Sequence, residues 1–499
     1  MLRTLARGLA QQIRKEQLSV SWYLHSTPPT QKTLVLTGPH GTGKSTLLQM
    51  CSQAYRTPPL SNFHLYIPLQ PQERPEEGKA EAPAKANKEV IHPVTTSLAA
   101  VTDFLVRLEE EALTPRMQVA YKEVLLNTIK QLLWKLEEPL PVPEDEYEAK
   151  QGAESRQLLL QEFLKSSNKR LVEAKLPLRI SGISEQELTA VVRHCTPSLS
   201  FQIIALAIMT SGREEGPGEL LAPLIVNIAN ALGKELMALD PSLLPFLVVM
   251  ESVQSACIDQ AGLYFLTYFL KALLKSQEHF HCVLESTVLV SEPFKLIVDN
   301  PDKFLLAQVF ELTKKEVGDF IQSRKMTMSE SDKEIIWKTT KGTQELTGQI
   351  LQEVEEGGKV SQVCQDYVSR MTATLNTQLS KQGMPEVPNS ASIMHIQKME
   401  LIELRALAYF LSHIMLEDAE VEMSTEDFYE NGVVQQLCLM RFCYYNIETK
   451  RLRIENALLR QALLNTDMWK ILAAPTQQFK NKACYKKALE LGKEQLNQD

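Results

Sequence analysis

The sequence lacks long apolar runs, closely spaced cysteine pairs and a strong net charge. Its eight cysteines are scattered along 499 residues, which argues against a disulfide framework or a zinc site and favours a reducing compartment. No uninterrupted apolar run approaches the roughly 20 residues that cross a bilayer, so no membrane span is expected. The net charge of −8 gives no general attraction to nucleic acid or anionic membranes.

The first 15 residues leave the location of the protein open. They carry four basic residues and no acidic residue, with apolar residues at helical spacing, a pattern typical of a mitochondrial transit helix. The other interpretation is an ordinary amphipathic helix that leads into the first strand. We expect an intracellular protein, cytoplasmic or nuclear, with a mitochondrial location as the alternative.

A glycine-rich segment near the N-terminus carries the strongest signal. A short β-favouring run, residues 33–37, precedes it, and helix-forming residues 45–54 follow. The segment fits the phosphate-loop pattern G-x-x-x-x-G-K-[ST] at every position, in the strand–loop–helix context that this pattern requires. A chance glycine turn before a helix is the competing interpretation. The predicted phosphate-binding residues are Gly38, Pro39, His40, Gly41, Thr42, Gly43, Lys44, Ser45 and Thr46.

Each part of this loop has a physical role. Glycines let the backbone fold around phosphates with its N–H groups pointing inward, and the following helix adds the positive end of its dipole. Lys44 supplies a cation for the β- and γ-phosphates, and Ser45 offers its hydroxyl to Mg²⁺. The predicted ligand is therefore a nucleoside triphosphate, ATP with Mg²⁺.

Hydrolysis requires an acidic residue at the end of a second apolar strand. Residues 244–250 form such a run, and Glu251 follows it. Glu251 is the candidate catalytic residue, which activates water or reaches the outer shell of the metal. Met250 stands where an aspartate is expected, so the sequence leaves hydrolysis undecided, and Glu251 could simply end a core strand.

A polar residue at the end of the neighbouring strand is a further candidate. The predicted strand 280–284 is followed by Glu285, Ser286 and Thr287. Ser286, or Thr287, is placed to contact the γ-phosphate. The alternative is a strand that happens to end in two hydroxyl residues.

In their order along the chain, these segments resemble AAA+ and STAND-type P-loop ATPases. Residues 309–317 look like the x-L-T-x-x-E opening of the helical lid in that class, with Leu312 packing and Glu316 in the first lid helix. Residues 341–344 look like the later glycine-containing turn, but without the arginine that relatives often place there. Within the class the chain looks closest to Crinkler and retrotransposon hot spot ATPases. It is also similar in layout to the P-loop protein of the mitochondrial small ribosomal subunit.

The C-terminal part resembles a winged-helix domain. Residues 399–416 have the pattern of a helix, and residues 443–446 and 450–454 could form a two-stranded wing. In the resembling proteins such a domain packs on the lid or on a partner, which implies a protein partner or an oligomer. Lys450, Arg451 and Arg453 could contact nucleic acid, although a few surface cations are more often simply solvated.

The predicted fold class is α/β, a P-loop NTPase parallel sheet with a helical insertion, a helical lid and a winged-helix-like C-terminal domain. The boundaries are 1–30 for the N-terminal helix and lead-in, 31–300 for the core, 301–384 for the lid and 385–499 for the last domain. Inside the core we expect a disordered insertion near 71–90 and a helical one near 95–215. The predicted function is an ATP-dependent switch or partner-binding ATPase; the alternative is a non-hydrolysing scaffold that retains bound nucleotide.

Overall fold

A computed structural model describes most of the chain. It covers residues 15–56, 63–69, 93–137, 184–210, 217–380 and 420–465, except for positions 242, 259, 290–291, 431–433, 436–437, 439–440, 442 and 456. The predicted disordered insertion at 71–90, the possible transit segment up to residue 14 and the predicted helix at 399–416 lie outside the described residues.

The centre of the molecule is a parallel five-stranded sheet. Its strands, in chain order, are β1 (Thr33–Thr37), β2 (His64–Pro68), β3 (Phe246–Glu251), β4 (Phe280–Ser286) and β5 (Phe304–Gln308). They are arranged in the spatial order β2-β3-β4-β1-β5. Thr37 lies in register with Ser286 on one side and with Gln308 on the other. The carboxyl ends of these three strands therefore meet at one edge of the sheet, next to the glycine-rich loop.

Strands β1, β3 and β4 confirm the runs predicted at 33–37, 244–250 and 280–284, but β5 was missed. Residues 304–308 were predicted to belong to the helical lid, and this prediction is wrong for them. β5 is a five-residue edge strand with two half-buried positions, Leu305 and Leu306. Its sequence, Phe-Leu-Leu-Ala-Gln, has a four-residue apolar run but no β-branched residue, and Leu, Ala and Gln favour helices.

Helices cover both faces of the sheet. The described helices before β4 are α1 (Lys15–His25), α2 (Lys44–Cys51), α3 (Pro93–Glu111), α4 (Pro115–Glu137), α5 (Glu185–His194), α6 (Pro197–Thr210), α7 (Ala222–Leu239) and α8 (Gln260–Ser276). Strand β3 alternates: Val248 and Met250 pack with α3 to α8, whereas Leu247 and Val249 pack with α1 and α2. This period-2 alternation divides the apolar core into two layers. Helices α3 to α6 occupy the region of the predicted helical insertion.

Helix α7 is strongly apolar. Together with the turn before it, it spans Gly218–Leu239, and by length and composition alone this segment could cross a membrane. Such a segment was not expected from the sequence, because no uninterrupted apolar run is long enough. Of its most apolar window, 61% is buried inside the protein. It packs against α4 and α8. A core helix of a soluble protein gives the same signal, so this is weak evidence for a span.

Helix α1 is attached to the sheet through one buried tyrosine. The Tyr23 hydroxyl donates a hydrogen bond to the carbonyl of Lys32 at 2.6 Å and accepts one from the N–H of Cys282 in β4 at 3.0 Å. Its ring lies 4.6 Å from that of His281, whose Nε2 is 3.0 Å from the carbonyl of Ser26. Burial raises the pKa of Tyr23 far above its ordinary value, so the hydroxyl stays protonated and remains a donor.

Replacing Tyr23 with phenylalanine is expected to lower the free energy of unfolding by about 1–3 kcal/mol. The substitution keeps the ring but leaves the buried Cys282 N–H and Lys32 carbonyl without this partner. Urea denaturation followed by circular dichroism measures the loss. Tyr66→Phe, at an exposed tyrosine of β2, is the matched control and should change little. Equal midpoints for Tyr23→Phe and the wild type would contradict the anchoring role.

A short helix, α9 (Glu292–Asp299), connects β4 and β5. Between β5 and residue 380 the chain forms four helices: α10 (Lys314–Ser323), α11 (Glu330–Thr340), α12 (Gln344–Glu355) and α13 (Val360–Ser380). Thr313 caps α10 in a reciprocal pair with Glu316, the arrangement in which each side chain satisfies a backbone N–H of the other residue. The Leu312 N–H donates to the carbonyl of Gly342 at 2.8 Å. We call α10 to α13 the lid helices.

The last described part is a small α/β unit, residues 420–465, which we call the C-terminal module. It contains β6 (Val421–Glu422), α14 (Thr425–Glu430), β7 (Cys443–Asn446), β8 (Arg451–Ile454) and α15 (Ala457–Leu464). Its antiparallel strands are arranged β6-β8-β7. The hairpin predicted over 443–454 is therefore confirmed. Leu458 of α15 packs into the apolar core of the lid helices.

Candidate phosphate-binding site

The loop between β1 and α2 has a backbone that glycine makes possible. Gly38, Gly41 and Gly43 have φ angles of 147°, 75° and 89°, in the region that L side chains rarely adopt. A Cβ at Gly38 would also lie 2.2 Å from the carbonyl oxygen of Val309, because the Val309 N–H donates to the Thr37 carbonyl at 2.8 Å. The chain that continues β5 thus presses against the start of the loop.

Lys44 crosses this loop and holds it curved. Its Nζ donates to the carbonyl oxygens of Gly38 and Pro39, each at 2.9 Å. The Thr42 hydroxyl donates to the same Pro39 carbonyl, also at 2.9 Å. Because both carbonyls turn toward the lysine, the N–H groups of the loop are left to other acceptors.

The loop ends at the N-terminus of α2, where the donors are not satisfied by a side chain. Gly43 is the N-cap residue and offers no side-chain acceptor. The first N–H groups of a helix have no partner within it, and with the helix dipole they attract anions. Ser45 is half-buried here and Thr46 is exposed. The predicted binding residues from Gly38 to Thr46 are thus brought together in one turn.

An acidic side chain that the sequence analysis did not select lies closest to the lysine. Glu285, at the end of β4, places Oε1 3.6 Å from Lys44 Nζ, and both side chains are 4% exposed. Its Oε2 accepts a hydrogen bond from the N–H of Ser252 at 2.9 Å. Burial raises the pKa of the Glu285 carboxyl and lowers that of the Lys44 ammonium, while their mutual attraction opposes both shifts.

Glu251 and Met250 occupy different environments. Met250 is fully buried in the core with α3 to α8, so no acid replaces the expected aspartate at that position. Glu251 is half-buried at the end of β3, on the face that also carries α2 by strand alternation. Its charge raises the pKa of Glu285. Glu251 and Glu285 therefore interact electrostatically at the carboxyl ends of the neighbouring strands β3 and β4.

Ser286 lies at the same edge but is engaged elsewhere. It is fully buried, and its hydroxyl bonds to the side chain of Gln254 at 3.1 Å and to the carbonyl of Val288. The Thr287 N–H donates to the same Gln254 side chain at 3.2 Å. The hydroxyl of Ser286 thus orders the turn after β4.

The described residues contain no group of three or more His, Cys, Asp or Glu side chains arranged to hold a metal ion. Mg²⁺ bound beside phosphates needs only one or two protein ligands, because water and phosphate oxygens supply the rest. The hydroxyl of Ser45, which follows Lys44, and the carboxylate of Glu285, which contacts Lys44, are oxygen donors of that kind. The residues present therefore fit a metal that arrives with its nucleotide.

The lid helices touch the loop directly. The Glu345 N–H, in the first turn of α12, donates to the Gly41 carbonyl at 2.9 Å. A Cβ at Gly43 would lie 2.3 Å from the side-chain oxygen of Gln344. His40 Nδ1 is 3.7 Å from a Glu345 carboxylate oxygen. Burial, and then Arg441 and Lys44, lower the pKa of His40 to about 3, so this contact is not an ion pair at neutral pH.

The C-terminal module also reaches the loop. The carboxylate of Glu455 accepts a hydrogen bond from the His40 N–H at 2.9 Å. The Gln308 side chain, at the end of β5, donates to the Tyr444 hydroxyl, and Arg453 pairs with Glu311. Arg441 lies close enough to influence the pKa of His40, Lys44 and Glu455. The module therefore borders the glycine-rich loop at His40.

Two of the three module cations flagged in the sequence already have acidic partners. Arg451 pairs with Glu420 at 3.2 Å and with Glu422 at 3.5 Å, and Arg453 pairs with Glu311. Cations engaged in this way offer little free charge to a phosphate backbone. The hairpin gives no support to nucleic-acid contact.

No family model matches the chain, and no curated protein matches it in sequence. Among solved structures it is similar to the Walker-type ATPase of Pyrococcus abyssi, with 11% sequence identity, 90% of this chain and 95% of that chain covered, and a TM-score of 0.44. The parallel sheet order and the loop geometry define the fold of this chain as α/β, of the P-loop NTPase type.

Proposed function

We propose that the protein binds ATP with Mg²⁺ at the loop of residues 38–46 and acts as a nucleotide-dependent switch. One observation carries this proposal: the Lys44 ammonium is fixed by the Gly38 and Pro39 carbonyls at an uncapped helix N-terminus. A fixed cation and converging N–H groups are the elements that bind a polyphosphate. The preference for ATP over GTP follows only from the resemblance to ATPases.

In this proposal each residue around the loop has a separate role. Lys44 binds the β- and γ-phosphates, and Ser45 holds Mg²⁺, which supplies charge neutralisation during phosphoryl transfer. Glu251 orients or deprotonates the attacking water, as a half-buried carboxylate at the end of β3 can do. Glu285 positions the Lys44 ammonium through the 3.6 Å contact between its Oε1 and Lys44 Nζ.

The switch part of the proposal rests on what surrounds the loop. Both the lid helices, through Gln344 and Glu345, and the C-terminal module, through Glu455, contact the few residues that would hold phosphate. A ligand that changes the space at this loop must therefore change those contacts. The state of the nucleotide would reach any protein partner through the lid or the module.

Nucleotide titration tests the binding step. Wild-type protein titrated with Mg·ATP by calorimetry is expected to give a saturable signal, and Lys44→Ala should lower the affinity at least about 100-fold, since charge-assisted bonds to phosphate are lost. Lys234→Ala is the matched control. Lys234 is exposed on α7 beside Gly233, which packs against His279 at the opposite edge of the sheet. No saturable signal with ATP or GTP would refute the proposal.

A second candidate is a scaffold that retains nucleotide without turnover. The burial of Met250 where an acid is expected favours it, because one carboxylate fewer is available for water activation. Bound nucleotide would then stabilise the fold by mass action alone. Phosphate release by the wild type above that of Lys44→Ala selects the switch. Intact nucleotide recovered from the purified protein, without release, selects the scaffold.

A further inference from the structure

Glu455 lies in an unusual position for an acidic residue. It directly follows β8 of the C-terminal module and is 3% exposed, and its Oε1 accepts from the His40 N–H at 2.9 Å. The backbone N–H groups of such a loop are the groups that a phosphate engages. A carboxylate of the chain itself therefore takes one of the donors that the ligand needs.

The second oxygen of this carboxylate is not satisfied. Among the described residues, Oε2 of Glu455 is buried and has no hydrogen-bond partner. The cations Lys44, Arg441 and Arg453 attract the carboxylate, yet burial outweighs them and raises its pKa to about 7. Buried acids of this kind are rare unless they are paired. Burying the Glu455 carboxylate at this position therefore costs free energy, and the carboxylate nevertheless binds to the loop.

Several contacts hold the module so that Glu455 reaches the loop. Tyr429 donates to the Leu289 carbonyl at 2.9 Å, and the Gln461 side chain donates to the Lys338 carbonyl of the lid helices at 3.0 Å. Tyr444 and Arg453 contact Gln308 and Glu311, as described above. Leu289 lies just after β4 and Gln308 ends β5, so two of these contacts lie at the carboxyl ends of the strands. The module is therefore held against the loop, where Glu455 contacts His40.

We infer that Glu455 is an internal competitor of the nucleotide: its carboxylate occupies the phosphate position at His40, and a polyphosphate can bind there only when the carboxylate leaves. This inference rests on the proposed function and names the regulation of that site. Because β8 and α15 continue directly from Glu455, its departure shifts the module from the lid. Nucleotide binding and module docking then oppose each other, and each weakens the other by the same factor.

The test combines affinity with hydrogen exchange. Mg²⁺ with the non-hydrolysable analogue adenosine β,γ-imidotriphosphate is titrated into wild type, Glu455→Ala and Glu448→Ala. Glu448 is exposed on the hairpin of the same module, so its replacement removes the same charge without touching the loop. Glu455→Ala is expected to bind the analogue about tenfold more tightly or better, because no carboxylate has to leave the loop before the ligand can bind. Glu448→Ala should match the wild type.

Exchange of backbone amides separates competition from simple charge repulsion. On addition of the analogue, residues 443–454 of the wild type should exchange several-fold faster, because the module is released. In Glu455→Ala the ligand fits beside the docked module, so exchange should not rise. Tighter binding by Glu455→Ala without faster exchange in the wild type would mean repulsion only and would overturn the inference. Equal affinities would also overturn it while leaving nucleotide binding intact, whereas no binding by any variant refutes the proposed function itself.

Discussion

Glu285→Ala is expected to destabilise the protein by about 3 kcal/mol, the usual cost of removing one partner of a buried ion pair. The Lys44 ammonium, which is 4% exposed in the intact protein, would keep its hydrogen bonds to the two loop carbonyls but lose the carboxylate closest to it. The Ser252 N–H would lose its acceptor as well. The midpoint of urea denaturation at pH 7.5 measures the change.

The charge-neutral double variant makes this prediction specific. If the loss comes from an uncompensated buried cation, Lys44→Met combined with Glu285→Gln should recover most of the stability, because neither charge remains to be solvated. Glu278→Ala, two residues before β4 and with a 62% exposed side chain, is the matched control and should change little. A double variant as unstable as Glu285→Ala would indicate that packing, and not charge, sets the cost.

What could be predicted from the sequence is what short segments determine. The phosphate loop, its strand and its helix lie within some twenty residues, so the glycine spacing specifies them. The central strands β3 and β4 are buried on both faces and show as apolar runs. β5 is short, has two half-buried positions and lies at the sheet edge, and its Leu, Ala and Gln favour a helix.

Of the site, the sequence predicted the loop but not the residues that other parts of the chain bring to it. Glu251 was predicted because it ends the second apolar strand, and Ser286 because it lies at the end of β4. The residue that contacts Lys44 is Glu285, directly before Ser286. The position of that acid directly after the apolar run 280–284 was a usable signal, because the carboxyl ends of parallel strands lie at the same edge of the sheet as the first loop. Glu455 gave none, since 415 positions separate it from His40 and only the docking of the module joins them.

The charge of Glu455 predicts a pH dependence of that docking. Its pKa is raised to about 7 in the docked state, chiefly by burial, although the His40 N–H, Arg441, Lys44 and Arg453 oppose the shift. In the released state the carboxyl should titrate near the ordinary value for glutamate, about 4.3. The docked module therefore holds a proton that the released module gives up, and docking weakens as pH rises between these two values.

Between pH 5 and pH 8 the free energy that holds the wild-type module in place should fall by roughly 3 kcal/mol relative to Glu455→Gln, at about 1.4 kcal/mol for each pKa unit. The glutamine keeps an oxygen for the His40 N–H but cannot ionise, so it isolates this one titration from that of the other groups. Hydrogen exchange of residues 443–454, measured in both proteins at each pH and corrected for intrinsic rates, gives the difference.

As the Glu455 carboxyl ionises with rising pH, the wild type, but not Glu455→Gln, should also bind nucleotide more tightly, because less docking free energy opposes the ligand. A constant difference between the two proteins across this range would show that the pKa of Glu455 is the same in the docked and released states, and would contradict this prediction.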